Sequence, residues 1–359
     1  MGLCAMISLI LIVHYEEQPS SGDERMTTES IQPIRMTKYA RPQQEWKVII
    51  AIYLYLAGMG AGSFIIGLLI HWTGAELNPL STPFIELFGI RFDLAKFLLL
   101  WGPIMVSIGA PFLILDLGIK WRFMYACLNP RTSWVARGFI ILSVFIVFGL
   151  LILAKSLLPF KWLNPESGLW LIPEGIAFVF AFATALYTGI LLKATKSVPL
   201  WNTPLLPLLF LTSALSTGSM AIILSTLGTG LLSYHSGAMK VLMVGEQIFV
   251  VIEGIVLYLF LSRRYKASEQ GRESVRLLMT GKLRYVFWQG IILLGFLFPI
   301  VLEWISKHYQ SSALLFIAGL SLLTGGFFLR LGLIQAGIKD QIPMQRLVEI
   351  QYGLIKNPK

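Results

Sequence analysis

Charge is scarce in this chain. Only 13% of its 359 residues are Asp, Glu, Lys or Arg, against about 25% in an ordinary water-soluble domain. Hydrophobic residues make up 56%, and the mean hydropathy is +0.72. No soluble core of this size could hide so much apolar side chain, so lipid is the solvent. Cysteine is nearly absent: Cys4 and Cys127 are the whole supply, which excludes a disulfide scaffold or a Cys-based metal site. Histidine is also rare. His14, His71, His235 and His308 fall in the N-terminal head, at the ends of apolar runs or in loops. A membrane b-type cytochrome needs axial His ligands within the hydrocarbon, so haem b is not expected. The sequence also lacks a phosphate loop, zinc-spaced ligands and a nucleophile elbow, and no metal site is expected in this chain.

Long apolar runs are what the chain has instead. A spanning helix needs roughly 20 mostly apolar residues. Eight stretches qualify: 48–70, 94–115, 134–154, 171–192, 205–227, 241–261, 283–302 and 313–333. Charges or Pro/Asn/Gly clusters such as "NPRTS" at 129–133 and "VPLWNTP" at 198–204 separate them. The fold class expected is therefore an all-α integral membrane protein of eight transmembrane helices, arranged as two four-helix bundles. Residues 46–335 form that domain. A polar, disordered extension covers 1–45 and a polar tail covers 336–359. The apolar head "MGLCAMISLILIVH" is too short to span and lacks a secretory n-region. It reads as a mis-set start, with Met26 or Met36 the true beginning, or as a short membrane-surface anchor.

The formal net charge is +10, a value that in a soluble protein would raise nucleic-acid binding. Here the basic residues follow a topology. Lys38, Arg41 and Lys47, the connections holding Arg122, Arg131, Arg137, Lys193, Lys196 and Arg263 to Arg284, and the C-terminal tail all fall on one side. Arg91, Lys155, Lys161, Lys240 and Lys307 fall on the other. The positive-inside rule puts both termini in the cytoplasm of a multi-pass plasma-membrane protein, and no nucleic-acid partner is implied.

Small residues punctuate the first run in "YLAGMGAGSF", with Gly58 and Gly62 four apart, the signature of close helix packing in lipid. Charge inside a run is costly, at least ~2.5 kcal/mol at mid-helix on insertion scales. In "VLMVGEQIFVVIEGIVLYLF", Glu246 and Glu253 lie seven residues apart, on one helical face and roughly 10 Å apart along the axis. They read either as neutral acids hydrogen-bonded across the bundle or as steps in proton transfer. Asp93 and Lys96 read as an ion pair. Glu174, Asp116, Arg137 and Arg330 sit near helix ends, where interfacial anchoring accounts for them.

Three stretches carry a resemblance: "WKVIIAIYLYLAGMGAGSF", "DLGIKWRFMYACLNPRTSWVARG" at 116–138, and "ALYTGILLKATKSVPLWNTPLLPLLFLTSALSTG" at 185–218. Together they resemble the NrfD / polysulfide reductase membrane-subunit family, across all eight runs in order. The resemblance implies a quinone- or quinol-binding subunit (menaquinone or ubiquinone) without a prosthetic group of its own. It would work beside a ferredoxin-like subunit that holds four iron–sulfur clusters, and with a molybdopterin catalytic subunit. It also implies site residues. Tyr187, about two turns inside the end of the fourth run, and Tyr53, at the same depth in the first, would meet the quinone. In family members a polar residue near that end of the first run, sometimes His, is placed at the quinone; Tyr53 stands there in this chain.

The loops 116–138 and 193–204 would form the docking floor for the iron–sulfur partner, with Asp116, Arg122, Arg131, Arg137, Trp201 and Asn202 as its residues. Many family members dock a periplasmic partner on this face, whereas the basic residues assign it to the cytoplasm. Either the partner is cytoplasmic or docking overrides the charge bias. Two other classes compete: a secondary transporter or ion channel, whose sign would be unwound mid-span segments with paired charges, and a membrane anchor without chemistry.

Overall fold

The computed structural model of the chain describes residues 48–73, 84–87, 90–93, 100–115, 131, 133–157, 168–228 and 237–339. Helices dominate because a chain in lipid must satisfy its backbone N–H and C=O groups internally. They are α1 (Val48–Thr73), α2 (Gly102–Leu115), α3 (Trp134–Leu157), α4 (Leu171–Lys193), α5 (Leu205–Gly228), α6 (Gly237–Ala267) and α7 (Glu269–Met279). The eighth, α8, starts as a π-helix over Val286–Leu297 and continues as an α-helix over Phe298–Tyr309; α9 spans Ser312–Gln335. Seven of these are long and apolar enough to cross a membrane, namely α1, α3, α4, α5, α6, α8 and α9. The second expected span, 94–115, is represented by the shorter apolar helix α2, and 94–99 lie outside the described residues.

One feature departs from the all-α expectation, and a second adds a helix to the eight expected spans. An antiparallel hairpin pairs β1 (Phe84–Leu87) with β2 (Ile90–Asp93), so Asp93 ends a strand rather than opening a span. Its expected partner Lys96 lies outside the described residues. The connection after α6 also folds into α7. Ser268 caps this helix by accepting the Gly271 N–H at 3.1 Å, and Gly271, Ser274, Val275, Leu278 and Met279 form its buried stripe. Its apolar face rests on α6 and the start of α8 while charged side chains face outward, as in an interfacial helix.

The core is built around α1, which packs on α2, α4, α5 and α9. Its small residues set how close those neighbours come. A Cβ on Gly62 would overlap the backbone carbonyl of Ala214 in α5, and one on Gly218 would overlap Gly62 and Ser63 in α1. Gly62 of α1 and Ala214 and Gly218 of α5 therefore let the two backbones touch, as small residues do between lipid-embedded helices, whereas Gly58 faces the Arg330 side chain. Further round, α2 lies on α3 and α3 on α4, while α5 lies on α6 and α9, and α9 on α8.

The π-helical stretch has a visible consequence. Such i→i+5 winding is rare beyond a single turn, and here the Phe298 N–H reaches back to Leu293 O. The Leu294 carbonyl accepts instead from Ser321 Oγ of α9 at 2.8 Å. One end of the bundle, where α1, α3, α5 and α8 begin and α4, α6 and α9 finish, bears Arg131, Arg137, Lys193, Lys196, Arg263, Arg264 and Lys266; it is the basic end below, and the other is the far end.

Candidate functional site

At the basic end, α1 and α4 bring two phenols together. Tyr53 and Tyr187 are electrostatic neighbours, and both are buried (0% and 1% exposed). Neither hydroxyl finds a hydrogen-bond partner among the described residues. Leaving a buried polar group unsatisfied costs about 1–3 kcal/mol, so two such groups side by side mark a place where polar atoms of a ligand would be matched. The hydroxyl of the adjacent Thr188 is already engaged with Ala185 O at 2.7 Å. Gly138 of α3 seats the Tyr187 ring: a Cβ there would overlap Tyr187 Cζ and Oη. The glycine of "SWVARG" is thus part of the tyrosine's position.

On the opposite face of α1 lies a second cluster. Arg330 of α9 is fully buried, so it is no interfacial anchor, contrary to its helix-end place in the sequence. Its Nη1 donates to Ser213 Oγ and to Gly326 O, both at 2.9 Å. Its guanidinium stands 5.5 Å from the rings of Tyr55 and Phe210, and its Nη2 occupies the space that a Cβ on Gly58 would need. Ser216, one turn beyond Ser213, donates to Glu253 Oε2 at 2.6 Å. A buried arginine and a buried carboxylate are thereby joined through two serines of α5, within electrostatic reach of each other. Glu253 also lines a small cavity of about 10 Å³, close to the room that one water needs. Ser216, Thr217 and the π-helix residues Gly295 and Phe296 share its wall.

Glu246 stands toward the far end of α6 and is also buried. Its neighbour is a carboxyl that sequence reading passed over, Glu303 of α8. Gln247 Nε2 donates to Glu303 Oε2 at 2.7 Å, and Lys307 Nζ donates to Gln247 Oε1 at 2.9 Å. The two glutamates expected on one face of α6 do share that face, but each belongs to a separate polar group, and neither group includes Tyr53 or Tyr187.

The connection 194–204 is firmly held. Trp201 is buried and donates its indole N–H to Leu333 O at 2.9 Å. Arg264, at the end of α6, donates to Pro199 O and Asn202 O at 3.1 and 3.0 Å. Trp201 therefore fixes the loop from within, leaving Asn202 exposed on the surface. Arg131 is exposed as well, while Arg137 donates to Arg131 O at 2.7 Å and lies 4.5 Å over the Trp134 ring. Asp116 and Arg122 lie outside the described residues. At the far end, Glu174 accepts from Trp72 Nε1 at 2.8 Å and pairs with Lys155 at 3.4 Å, a structural tie between α1, α3 and α4. Among the described residues no group of three or more His, Cys, Asp or Glu could hold a metal ion.

Sequence reasoning missed Arg330, Ser213, Ser216 and Glu303 as members of polar clusters. Glu303 had a usable signal, a carboxyl one turn before Lys307 in an apolar helix. For Arg330 the run was already ending, and nothing local showed that α1 and α5 would close over it.

Comparison with known proteins gives a consistent outcome. The family model described as "Polysulphide reductase, NrfD" matches residues 38–340. One chain of the polysulfide reductase of Wolinella succinogenes is 30% identical over 316 residues, with 81% of this sequence and 94% of that protein covered. Protein NrfD of Escherichia coli is 28% identical, with 81% and 94% covered. A selenate reductase subunit of Mesobacillus selenatarsenatis is 24% identical, with 83% and 74% covered.

Proposed function

The chain belongs to the NrfD polysulphide reductase family, and on that premise we propose that it is the membrane subunit of a respiratory oxidoreductase complex that binds quinone or quinol beside Tyr187 and Tyr53. The observation that carries this reading is the pair of buried phenol hydroxyls without partners, at the same depth in α1 and α4. A quinone reaches a protein sideways through the bilayer, and its two oxygens need partners that can donate in one redox state and accept in the other. Phenol hydroxyls do both. When bound, the quinone supplies two-electron chemistry that the protein's own side groups lack. The chain's own part is to orient it: Gly138 fixes the Tyr187 ring, and the tight α1–α5 contact fixes the depth of Tyr53.

Electrons would pass to or from an iron–sulfur subunit, four-cluster and ferredoxin-like, seated on the basic end. Transfer between proteins requires the two redox groups to be close, and the pinned 194–204 loop lies on the same end as the tyrosines. Exposed Arg131 and half-buried Arg137 favour an acidic partner surface. Two relatives are named as single components of polysulfide and selenate reductases, which supports a multi-subunit assembly with a separate catalytic subunit, of molybdopterin type in this reading. We place the chain in the plasma membrane with cytoplasmic termini, as eight spans in two groups of four: α1 to α4, and α5, α6, α8 and α9. Glu246 and Glu253 serve proton transfer in this reading.

Purification of the intact assembly tests it. Iron–sulfur absorbance and extractable quinone should co-elute with the chain, and a quinone-site inhibitor should bind more weakly to Tyr187→Phe. A lone polypeptide that holds no quinone and moves a solute would overturn it.

A further inference from the structure

The far end of the bundle holds a carboxyl, Glu303, that the reading above leaves unused beside Glu246. Glu246 of α6 is 1% exposed, yet neither of its oxygens receives a hydrogen bond from any donor among the described residues. What lies against it is the carboxyl of Glu303 on α8, also 1% exposed. Two ionised carboxylates are acceptors only and repel each other. A hydrogen bond between them exists only when one carries a proton, and like-charged carboxyls sharing one site cannot both ionise. The surroundings supply one amide and one cation, both on the same side of the pair. Gln247 donates to Glu303, and Lys307 donates to Gln247 rather than to either carboxyl. The other titratable group facing Glu246 is Glu253, whose charge is of the same sign. Lys307 is exposed, so the series Glu246, Glu303, Gln247, Lys307 runs from the interior to the surface.

We propose that Glu246 and Glu303 form one exchangeable proton-binding site, holding a single shared proton between two carboxyls and opening to water at the Lys307 end. The ligand is a proton: uptake from water forms the O–H of one glutamate and its hydrogen bond to the other, and release returns that proton to water and leaves two carboxylates. No electron moves. The site deepens the proton-transfer part of the function proposed above, and it makes Glu303 rather than Glu253 the functional companion of Glu246.

The test uses the purified full chain in nanodiscs, read by infrared difference spectroscopy. One protonated-carboxyl C=O band is expected, shifting on transfer to D2O and fading as pH rises. Glu246→Gln and Glu303→Gln should each abolish that same band, because the amide then supplies the missing donor to the remaining carboxylate. The double variant should remove no further intensity. Glu253→Gln should leave the band in place. Two independently protonated glutamates, each single variant removing half the intensity, would overturn the shared proton. A band that ignores D2O would overturn exchange with water, and a band abolished by added sodium ion would make the site a cation site instead. These readings involve neither quinone nor partner subunit. A failed quinone assignment, with turnover intact in Tyr187→Phe, would leave the carboxyl band unchanged.

Discussion

Removing the Tyr187 hydroxyl separates a ligand-binding role from a structural one by sign. In the ligand-free chain the Oη atom is buried and has no partner among the described residues, so Tyr187→Phe removes an unsatisfied group. A burial penalty of up to about 1–3 kcal/mol is relieved, and the ring still fills its seat against Gly138. The ligand-free protein should therefore unfold at the same temperature or higher. With quinone bound at the proposed site, the variant would lose one hydrogen bond, a net loss of about 0.5–1.5 kcal/mol. That corresponds to roughly 2- to 13-fold weaker quinone binding, at about 1.4 kcal/mol per decade.

The assay is thermal unfolding of the purified chain in detergent, with and without a soluble menaquinone analogue, because a ligand that binds only the folded state raises its stability according to its affinity. The expected pattern is an unchanged or raised midpoint without ligand, a smaller ligand-induced rise, and lower quinol turnover in the assembled complex. Unchanged turnover with an unchanged ligand-induced rise would refute the placement of quinone at Tyr187. A clear loss of stability without ligand would show instead that the hydroxyl is a structural hydrogen-bonding group.

Four further outcomes follow from the geometry. Gly138→Ala should displace the Tyr187 ring and lower quinol turnover while membrane insertion is retained, checked by turnover against expression level. Gly62→Val should separate α1 from α5 at Ala214 and cost at least the ~1–3 kcal/mol of overpacking, read as a lower thermal midpoint or loss of a monodisperse elution peak. Arg330→Met should destabilise the protein by about 3–5 kcal/mol, as breaking a buried charged group does. Adding Glu253→Gln should recover part of that loss, with a coupling of about 0.5–3 kcal/mol measured in a double-mutant cycle. Trp201→Phe removes the bond to Leu333 O, worth about 1 kcal/mol, and should weaken association with the proposed iron–sulfur subunit while any stabilisation by quinone at the proposed site persists.

Much of the frame was legible before any fold was known. Apolar runs fix where helices must form, because lipid offers the backbone no other partner. Gly58 and Gly62 were legible as a packing face, and α1 does touch its neighbours there. The shared depth of Tyr53 and Tyr187 could be counted from the run ends. Helix α7 was less legible, since its charged outer face masks a short buried stripe. The π-helical winding of Val286–Leu297 has no local sequence sign that we recognise.

Lipid-scale hydropathy and the scarcity of charge, histidine and cysteine are properties of composition, so the linear chain alone determined a helical membrane protein and the depth of its polar residues. Which of those residues meet was decided only by the tertiary structure. Tyr53 and Tyr55 lie two residues apart but point to opposite faces of α1, one toward Tyr187 and the other toward Arg330. Glu246 has Glu303, 57 positions away, as its electrostatic neighbour. Such pairings depend on how helices rotate and how closely small residues let them approach, and rotation is fixed by contacts between segments that no local pattern encodes.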